Sequence, residues 1–470
     1  MTLRGLVRFV ARVVAVGLLT VAVPATATAH GVHGHVHVTG WAIDALASGE
    51  VRTLLSDPEM RGAALMGAAF PDSGYAATDA ALEDQARAYG EHAHWEPFIE
   101  DFIQRVRATY GPTYDTREER LIVAFLMGCA AHGLQDELFD STFLYEVEER
   151  DGAGQAEADP GTDGFLVQDG YFWMVPSDYV PIDDLLPLFV GLSEDVDAEV
   201  IRHSVGNLGI YVNDVIGPSI AEANGEMYRP VIPWAAAHYL DAGVAGSLRA
   251  EIVPTALYLE AIWQRLHGRF DDSEVVIHAW PDAPRRLRTA EATSVASWVT
   301  LVLGKAVQNG SATGTFVDDA AVPHPFTLAY TRWGGEGTSR IVRFQPDADL
   351  VPGAWYTAAL AAGATLVDGS VTTGMHSHRF QVDCSDEMTC PPLGMLPEPA
   401  IDPPPPPPPP ADAGGVDSGT LDAGGDASPD AGAALDATSG CGCGTAGEPA
   451  GGLGFVGVVL ALLVRRRRTG

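Results

Sequence analysis

The chain has 470 residues, enough for two or three domains and a sizeable core. Its 62 acidic residues against 28 basic ones give a formal charge of −34. That balance argues against a nucleic-acid binder, which needs basic patches to displace counterions, and it disfavours simple electrostatic adsorption to an anionic membrane.

At the N-terminus, Arg4, Arg8 and Arg12 flank an apolar stretch from Val13 to Val23, followed by Ala27-Thr28-Ala29, a small-x-small cleavage site. Residues 1–29 therefore read as a secretory signal. An uncleaved membrane anchor is the competing reading, and the shortness of the apolar run stands against it. Cleavage after Ala29 places His30 at the mature N-terminus. From His30 to about residue 270, apolar segments of helical period alternate with Gly, Pro and Asp turns, which predicts an all-α domain over 30–270. The clearest helices are Trp95–Thr109, Glu118–Leu144 and Ile252–Leu266. In the second of these, Leu121, Ile122, Phe125, Leu126, Cys129 and His132 recur at i, i+3, i+4 spacings.

After Asp271 the character changes. Val275–Trp280, Ser297–Val302, Phe326–Tyr330, Ile341–Phe344 and Trp355–Leu360 are short β-branched or aromatic runs between turn-formers, predicting a small all-β sandwich over 271–390. The stretch RFQPDADLVPGAWYTAAL, closing with HRFQVDC, resembles bacterial immunoglobulin-like domains, which usually act as spacers. Cys384 and Cys390 lie close enough in sequence to pair, and Cys129 reads as a small buried residue. The absence of any CxxC pair gives no support to a thiolate zinc site.

Residues 391–439 are low-complexity. The unbroken proline run from Pro403 to Pro410 favours stiff polyproline II, and the Asp/Ala/Gly repeats after it hold too few apolar groups to offset ordering entropy. Residues 440–470 carry Cys441 and Cys443, an apolar stretch from Gly451 to Val464, and Arg465–Arg468. This arrangement resembles C-terminal surface-sorting signals of the Cys-containing myxobacterial type, an ordinary tail anchor being the alternative. Either way the implied location is the outer cell surface, after export and C-terminal processing by a sorting machinery.

The strongest local chemical signal is His132-Gly133-Leu134-Gln135-Asp136. On a helix, i and i+4 share a face, so imidazole and carboxylate converge, and Asp140 lies one turn further along. Polar groups of this kind inside an apolar helix need compensation, which a divalent metal supplies. A hydrogen-bonded core histidine beside solvated carboxylates is the plainer reading of the motif alone. Three further pieces lie elsewhere in the same domain: Phe70-Pro71-Asp72, with Asp72 at a turn after a helical run; His92-Ala93-His94-Trp95, just before a helix; and the tract from His30 to His37. Together they place His and Asp donors on separate helices, as a multi-metal site in a bundle requires.

His35 with the segments AAFPDSGY, HAHWEPFIEDFI, LIVAFLMGCAAHGLQDELFD and YVPIDDLLPLF resembles the zinc-dependent phospholipase C family over about residues 30–268, most closely the branch formed by the catalytic domain of glycosylphosphatidylinositol-specific phospholipase D. The resemblance implies a helical domain of the phospholipase C/P1 nuclease type that holds three metal ions and hydrolyses phosphodiester bonds of phospholipid or glycolipid at a membrane surface. It assigns His35, Asp72, His94, His132 and Asp136 as metal ligands, His30 as a ligand through the mature N-terminus, and Asp72 as ligand or general base. At the remaining site the family uses imidazoles where this chain has Asp140 and, in EADPGTD, Asp159, with Asp163 matching the family's own Asp/Glu position. Carboxylates there favour Ca²⁺, Mg²⁺ or Mn²⁺, whereas the His-bearing positions suit Zn²⁺. Phe70, Tyr75, Trp95 and the run Tyr171-Phe172-Trp173-Met174 are candidates for an apolar lip, or else for ordinary core packing. Two rival readings remain open: a P1-type nuclease, and a non-catalytic surface adhesin with a degenerate metal site.

Overall fold

The structure is a computed structural model that describes residues 31–171, 179–192, 194–210, 212, 217–282, 285–333 and 335–384, with the backbone alone at 217–220. The signal segment, His30, Phe172-Trp173-Met174, Cys390, the low-complexity linker and the C-terminal tail lie outside the described residues.

About half of the described chain is helical, and two small antiparallel sheets follow in its C-terminal region. The helices that build the site are α1 (Val32–Ala45), α2 (Glu50–Leu55), α3 (Pro58–Ser73), α4 (Glu83–Ala93), α5 (Glu96–Tyr110), α6 (Arg117–Leu138), α7 (Leu144–Asp151) and α8 (Gln155–Gln168). Beyond them come Ile182–Gly191, Ala198–Gly209, Gly217–Tyr228, Pro233–His238 and Ile252–Leu266. The helix ends follow local chemistry. Asp57 caps α3 by accepting from the Glu59 and Met60 amides, with Pro58 at the first helical position, where its missing N–H costs nothing. Thr116 and Glu119 form a reciprocal capping box that starts α6.

Helix α6 is the axis of the core. Together with the segment Phe139–Phe143 and α7 it forms a run of 35 residues, Arg117–Asp151, long and apolar enough to cross a membrane, yet its apolar window is wholly buried inside the fold. Sequence periodicity predicts one regular helix over Glu118–Leu144. Instead, Phe139–Phe143 widens into a π turn, and Thr142 donates its hydroxyl to the Leu138 carbonyl there. Hydrophobic spacing shifts little across one wide turn, so periodicity does not reveal it. Helix α5 runs within one residue of the expected Trp95–Thr109, and Ile252–Leu266 coincides with its expectation.

Helices α3 and α6 cross at backbone contact because small residues line both faces. A Cβ on Gly128 would lie 1.9 Å from the Ala64 carbonyl oxygen, and one on Gly67 would lie 2.1 Å from that of Phe125. This crossing sets His132 of α6 against the last turns of α3. Cys129, free and fully buried, packs there as a small residue.

The sheets are β1 (Val276–Trp280), β2 (Val299–Gln308), β3 (Gly314–Asp318), β4 (Phe326–Ala329), β5 (Thr338–Pro346), β6 (Trp355–Leu360) and β7 (His376–Gln381). They pair as β1-β2-β5-β4 and as β3-β6-β7, antiparallel throughout. Leu301, Leu303, Val342 and Phe344 of the first sheet pack with Phe316, Tyr356, Leu360 and Phe380 of the second, which is the interior of a two-layer sandwich. Strand β3 was not among the expected strands, since Gly314 and Asp318 leave its apolar run only Phe316 and Val317 long. Cys384 is disulfide-bonded.

The sandwich does not stand off as a spacer. Helices and sheets form one compact unit, and Trp280, Val302 and Ile341 of the first sheet belong to the same apolar core as α3, α5 and α6. The side chain of Arg340 from β5 is fully buried between Glu137 of α6 and Glu96 of α5, at 2.9 and 3.7 Å. Arg265 reaches the same Glu96 at 2.5 Å and Glu100 at 2.6 Å, and Tyr258 donates its hydroxyl to Glu96 at 2.7 Å. Guanidinium and carboxylate compensate each other at this join.

Gly128→Ala should force α3 and α6 apart and cost about 1–3 kcal/mol of stability, as overpacking of a close-packed interior does. Urea denaturation measures this, and an unchanged midpoint at unchanged slope would show that the helices do not approach so closely.

Candidate metal centre

Four helical segments deliver the expected donors to one buried place. His35 comes from the first turn of α1, Asp72 from the last turn of α3, His94 from the junction between α4 and α5, and His132 and Asp136 from consecutive turns of α6. Two triads have ligand atoms within 4.8 Å of one another: His35, His132 and Asp136, and Asp72, His94 and His132. The Nε2 atoms of His35 and His132 lie 3.1 and 3.2 Å from opposite oxygens of Asp136. The Nε2 of His94 lies 3.4 Å from Asp136 and 3.6 Å from Asp72. Asp72 was expected at a turn, but it sits inside α3. Pro71 keeps a helical φ, and the burial of Phe70, Pro71 and Ser73 carries the helix one turn further.

Each imidazole is held by its other nitrogen. The Nδ1–H of His132 donates to the Ala68 carbonyl at 2.6 Å, and that of His94 to the Gly90 carbonyl at 2.6 Å. The Nδ1–H of His35 donates to Gln135 Oε1 at 3.0 Å, and Gln135 is itself oriented by donating to Thr39 Oγ1 at 3.0 Å. With three Nδ1 atoms engaged, all three Nε2 atoms face the cluster. Histidines that bind metals are oriented in this way, by a hydrogen bond from the ring nitrogen that faces away from the ion.

Burial and neighbouring charges compete at each group of the cluster. Burial disfavours a charged His94 ring, yet Asp72 and Asp136 beside it lift its pKa to about 9. His35 is likewise raised against burial, chiefly by Asp136. His132 is lowered, by burial and then by the neighbouring His35. Burial pushes Asp136 up, but the His132 and His35 rings hold it well below the usual carboxylate range.

Asp140 and Asp159 are buried, each with an Oδ1 that has no hydrogen-bond partner. Burial, and then Asp136 for Asp140 and Asp140 for Asp159, push both carboxyls well above the ordinary range. The Gly- and Asp-rich stretch around Asp159, open to reading as a solvated loop, is helix α8, so Asp159 points inward. Asp163 does not join the cluster. Its carboxylate accepts from the His33 and Gly34 amides at 3.2 and 2.9 Å and contacts His33 Nδ1 at 3.1 Å, and so caps α1. His30 lies outside the described residues.

Of the lip candidates, Phe70 is corrected to core: it is fully buried against Tyr89 and Phe125, on the face of α3 opposite the cluster. Tyr75, half-buried, has its ring centroid 5.8 Å from that of His94 and donates its hydroxyl to Glu91. Trp95, at 8 % exposure, donates its indole N–H to the same carboxylate. Tyr171 stacks edge-on against His37 and Trp41, and the rest of that run lies outside the described residues.

Sequence reasoning missed two contributors. Gln135, inside the motif itself, orients His35. Glu251, immediately before the helix Ile252–Leu266, is fully buried, and burial followed by Asp136 and Asp140 pushes its carboxyl well up. An acidic residue ahead of an apolar helix ordinarily marks an exposed N-terminus, so the sequence carried no signal for it. Glu137 points away from the cluster to Arg340.

The residues present fit a metal. Asp72 Oδ1, His94 Nε2, His132 Nε2 and Asp136 Oδ1 are buried without hydrogen-bond partners, and imidazole nitrogen with carboxylate oxygen is the donor set of Zn²⁺ and its neighbours. Metal addition should therefore stabilise the folded chain by about 2.7 kcal/mol when free metal stands 100-fold above its dissociation constant. His132→Ala, which removes a donor from both triads, should abolish that stabilisation. Thermal unfolding with and without Zn²⁺ or Mn²⁺ reads both, and an equal shift in the variant would remove the cluster as the binding site. Comparison with protein-family models, with curated proteins and with solved structures finds no match for this chain.

Proposed function

We propose that this chain is an exported, surface-held, metal-dependent phosphoric diester hydrolase of the phospholipase C/D type. The observation that carries the reading is the convergence of three Nδ1-tethered imidazoles and two carboxylates from four helical segments. His35, Asp72, His94, His132 and Asp136 would hold ions of the zinc type, and Asp140 with Asp159 a harder ion such as Ca²⁺, Mg²⁺ or Mn²⁺. When bound, such ions polarise a phosphoryl oxygen, offset its negative charge and acidify a water molecule. The chain's own groups do the positioning. Three backbone or amide oxygens fix the rings, and the rigid α3–α6 crossing fixes Asp72 against His132. Asp72 either completes the donor set or takes a proton from the attacking water. Tyr75, half-buried at the His94 side, supplies apolar surface for the lipid.

The signal at 1–29, the proline-rich linker and the Arg-terminated tail support display at the cell surface. The strand orders β1-β2-β5-β4 and β3-β6-β7 follow the A-B-E-D and C-F-G arrangement of an immunoglobulin-type sandwich, which supports the immunoglobulin-like reading of the β region.

The decisive test incubates purified mature protein with a panel of phosphatidylcholine, phosphatidylinositol and glycosylphosphatidylinositol lipids beside single-stranded DNA, and identifies products by mass spectrometry. Lipid phosphodiester cleavage that chelation stops, metal restores and Asp136→Asn abolishes is the expected result. Cleavage of DNA alone would reassign the chain as a nuclease, and no turnover of any diester would make it a non-catalytic surface protein.

A further inference from the structure

We propose that Arg340, on strand β5 of the sandwich, is a positioning residue for the metal centre, so that the β region is a working part of the site. The proposal rests on the metal-binding reading above. Arg340 is fully buried and spends its guanidinium on the segments that carry the ligands. Its Nε donates to Glu137 Oε1 at 2.9 Å, and its backbone N–H donates to Glu137 Oε2 at 2.7 Å. Its Nη2 donates to the His94 carbonyl at 2.9 Å, and its Nη1 to the Ala130 carbonyl at 3.4 Å. One side chain therefore ties the residue next to Asp136, the turn before His132, and the backbone of His94 itself.

His94 needs such a tie more than the other ligands. His35, Asp72, His132 and Asp136 sit within helices, where neighbouring turns fix the backbone. His94 sits at the junction of α4 and α5, and its own N–H makes only a 3.3 Å bond to the Glu91 carbonyl. The Arg340 fork supplies the missing restraint on its carbonyl side. Space for the fork is built into the ligand helix: a Cβ on Gly133 would lie 2.0 Å from the His94 carbonyl oxygen and 2.7 Å from Arg340 Nη2. The glycine after His132 is thus the opening through which sheet and junction reach α6. A second arginine of β5 repeats the grip one turn on, where Arg343 donates from Nη1 to the Ser141 carbonyl at 2.6 Å, beside Asp140. Lysine cannot replace Arg340 fully, since a point ammonium cannot span a carboxylate and two carbonyls as the planar fork does.

The test uses the mature chain carrying Arg340→Met or Arg340→Lys, with Lys305→Met as control. Lys305 is a buried cation of the same sandwich, paired with Asp272 and Asp368 away from the centre. Zn²⁺ affinity is measured by chelator competition on the folded fraction, and thermal stability is recorded without metal. Arg340→Met should weaken Zn²⁺ binding about 10–100-fold, the range seen when outer-shell partners of metal ligands are removed. Arg340→Lys should recover part of the loss, and Lys305→Met should lower stability while leaving affinity unchanged. If Arg340→Met does not fold, Arg340→Lys carries the comparison. Wild-type affinity in the folded Arg340 variants, or equal weakening by Lys305→Met, overturns the proposal. Failure of the wild type itself to take up Zn²⁺ would instead sink the metal reading from which it starts.

Discussion

The structure turns on a constraint that no single helix can satisfy. Three imidazoles and two carboxylates share a space from which water is largely excluded, with Asp136 bridging toward His35, His94 and His132 at 3.1–3.4 Å. Burying such groups is costly, and the Nδ1 atom of each ring is engaged by an oxygen at 2.6–3.0 Å. Each ring is thereby prevented from turning its donor nitrogen away. Donor atoms held in place by such tethers are in the condition under which they discriminate by geometry.

The surrounding packing serves that stiffness. The close crossing of α3 and α6 puts the Ala68 carbonyl against His132 Nδ1, and Asp72, four residues further along α3, faces the same ring. One helix face thus supplies both the tether and a neighbouring ligand. The π turn at Phe139–Phe143 then sets Asp140 beneath Asp136, and α8 brings Asp159 up to it. Burial and mutual crowding push these carboxyls well above the ordinary range, and a cation held among them would offset the same charge.

The sandwich closes the arrangement from outside. Its first sheet shares the helical core, and the Arg340–Glu137–Glu96–Arg265 array threads charge through the join without leaving it uncompensated. Arginines of β5 reach the backbone at His94 and at Ser141, and these segments bracket the ligand helix from two directions.

Helical and strand periodicity, the turn residues, and the pairing of His132 with Asp136 were legible in the sequence, because each depends on spacings of a few residues along one element. Composition likewise marked the low-complexity linker and the apolar ends. Asp72, His94 and the tract holding His35 stood out as scattered donors, but their individual roles as ligands were implied by resemblance, and Asp163 carried the same expectation yet became a helix cap. Whether a carboxylate meets an imidazole, an amide or water is decided by the neighbour that packing brings to it. Gln135, Glu251 and Arg340 entered the site for the same reason: their partners lie roughly 100 to 250 positions away along the chain or were brought close only by a helix crossing or a sheet docked on a bundle. Local pattern, set by bond geometry, was determined by the sequence alone; which donors share one cavity was decided by tertiary structure, because that is a property of distances between elements.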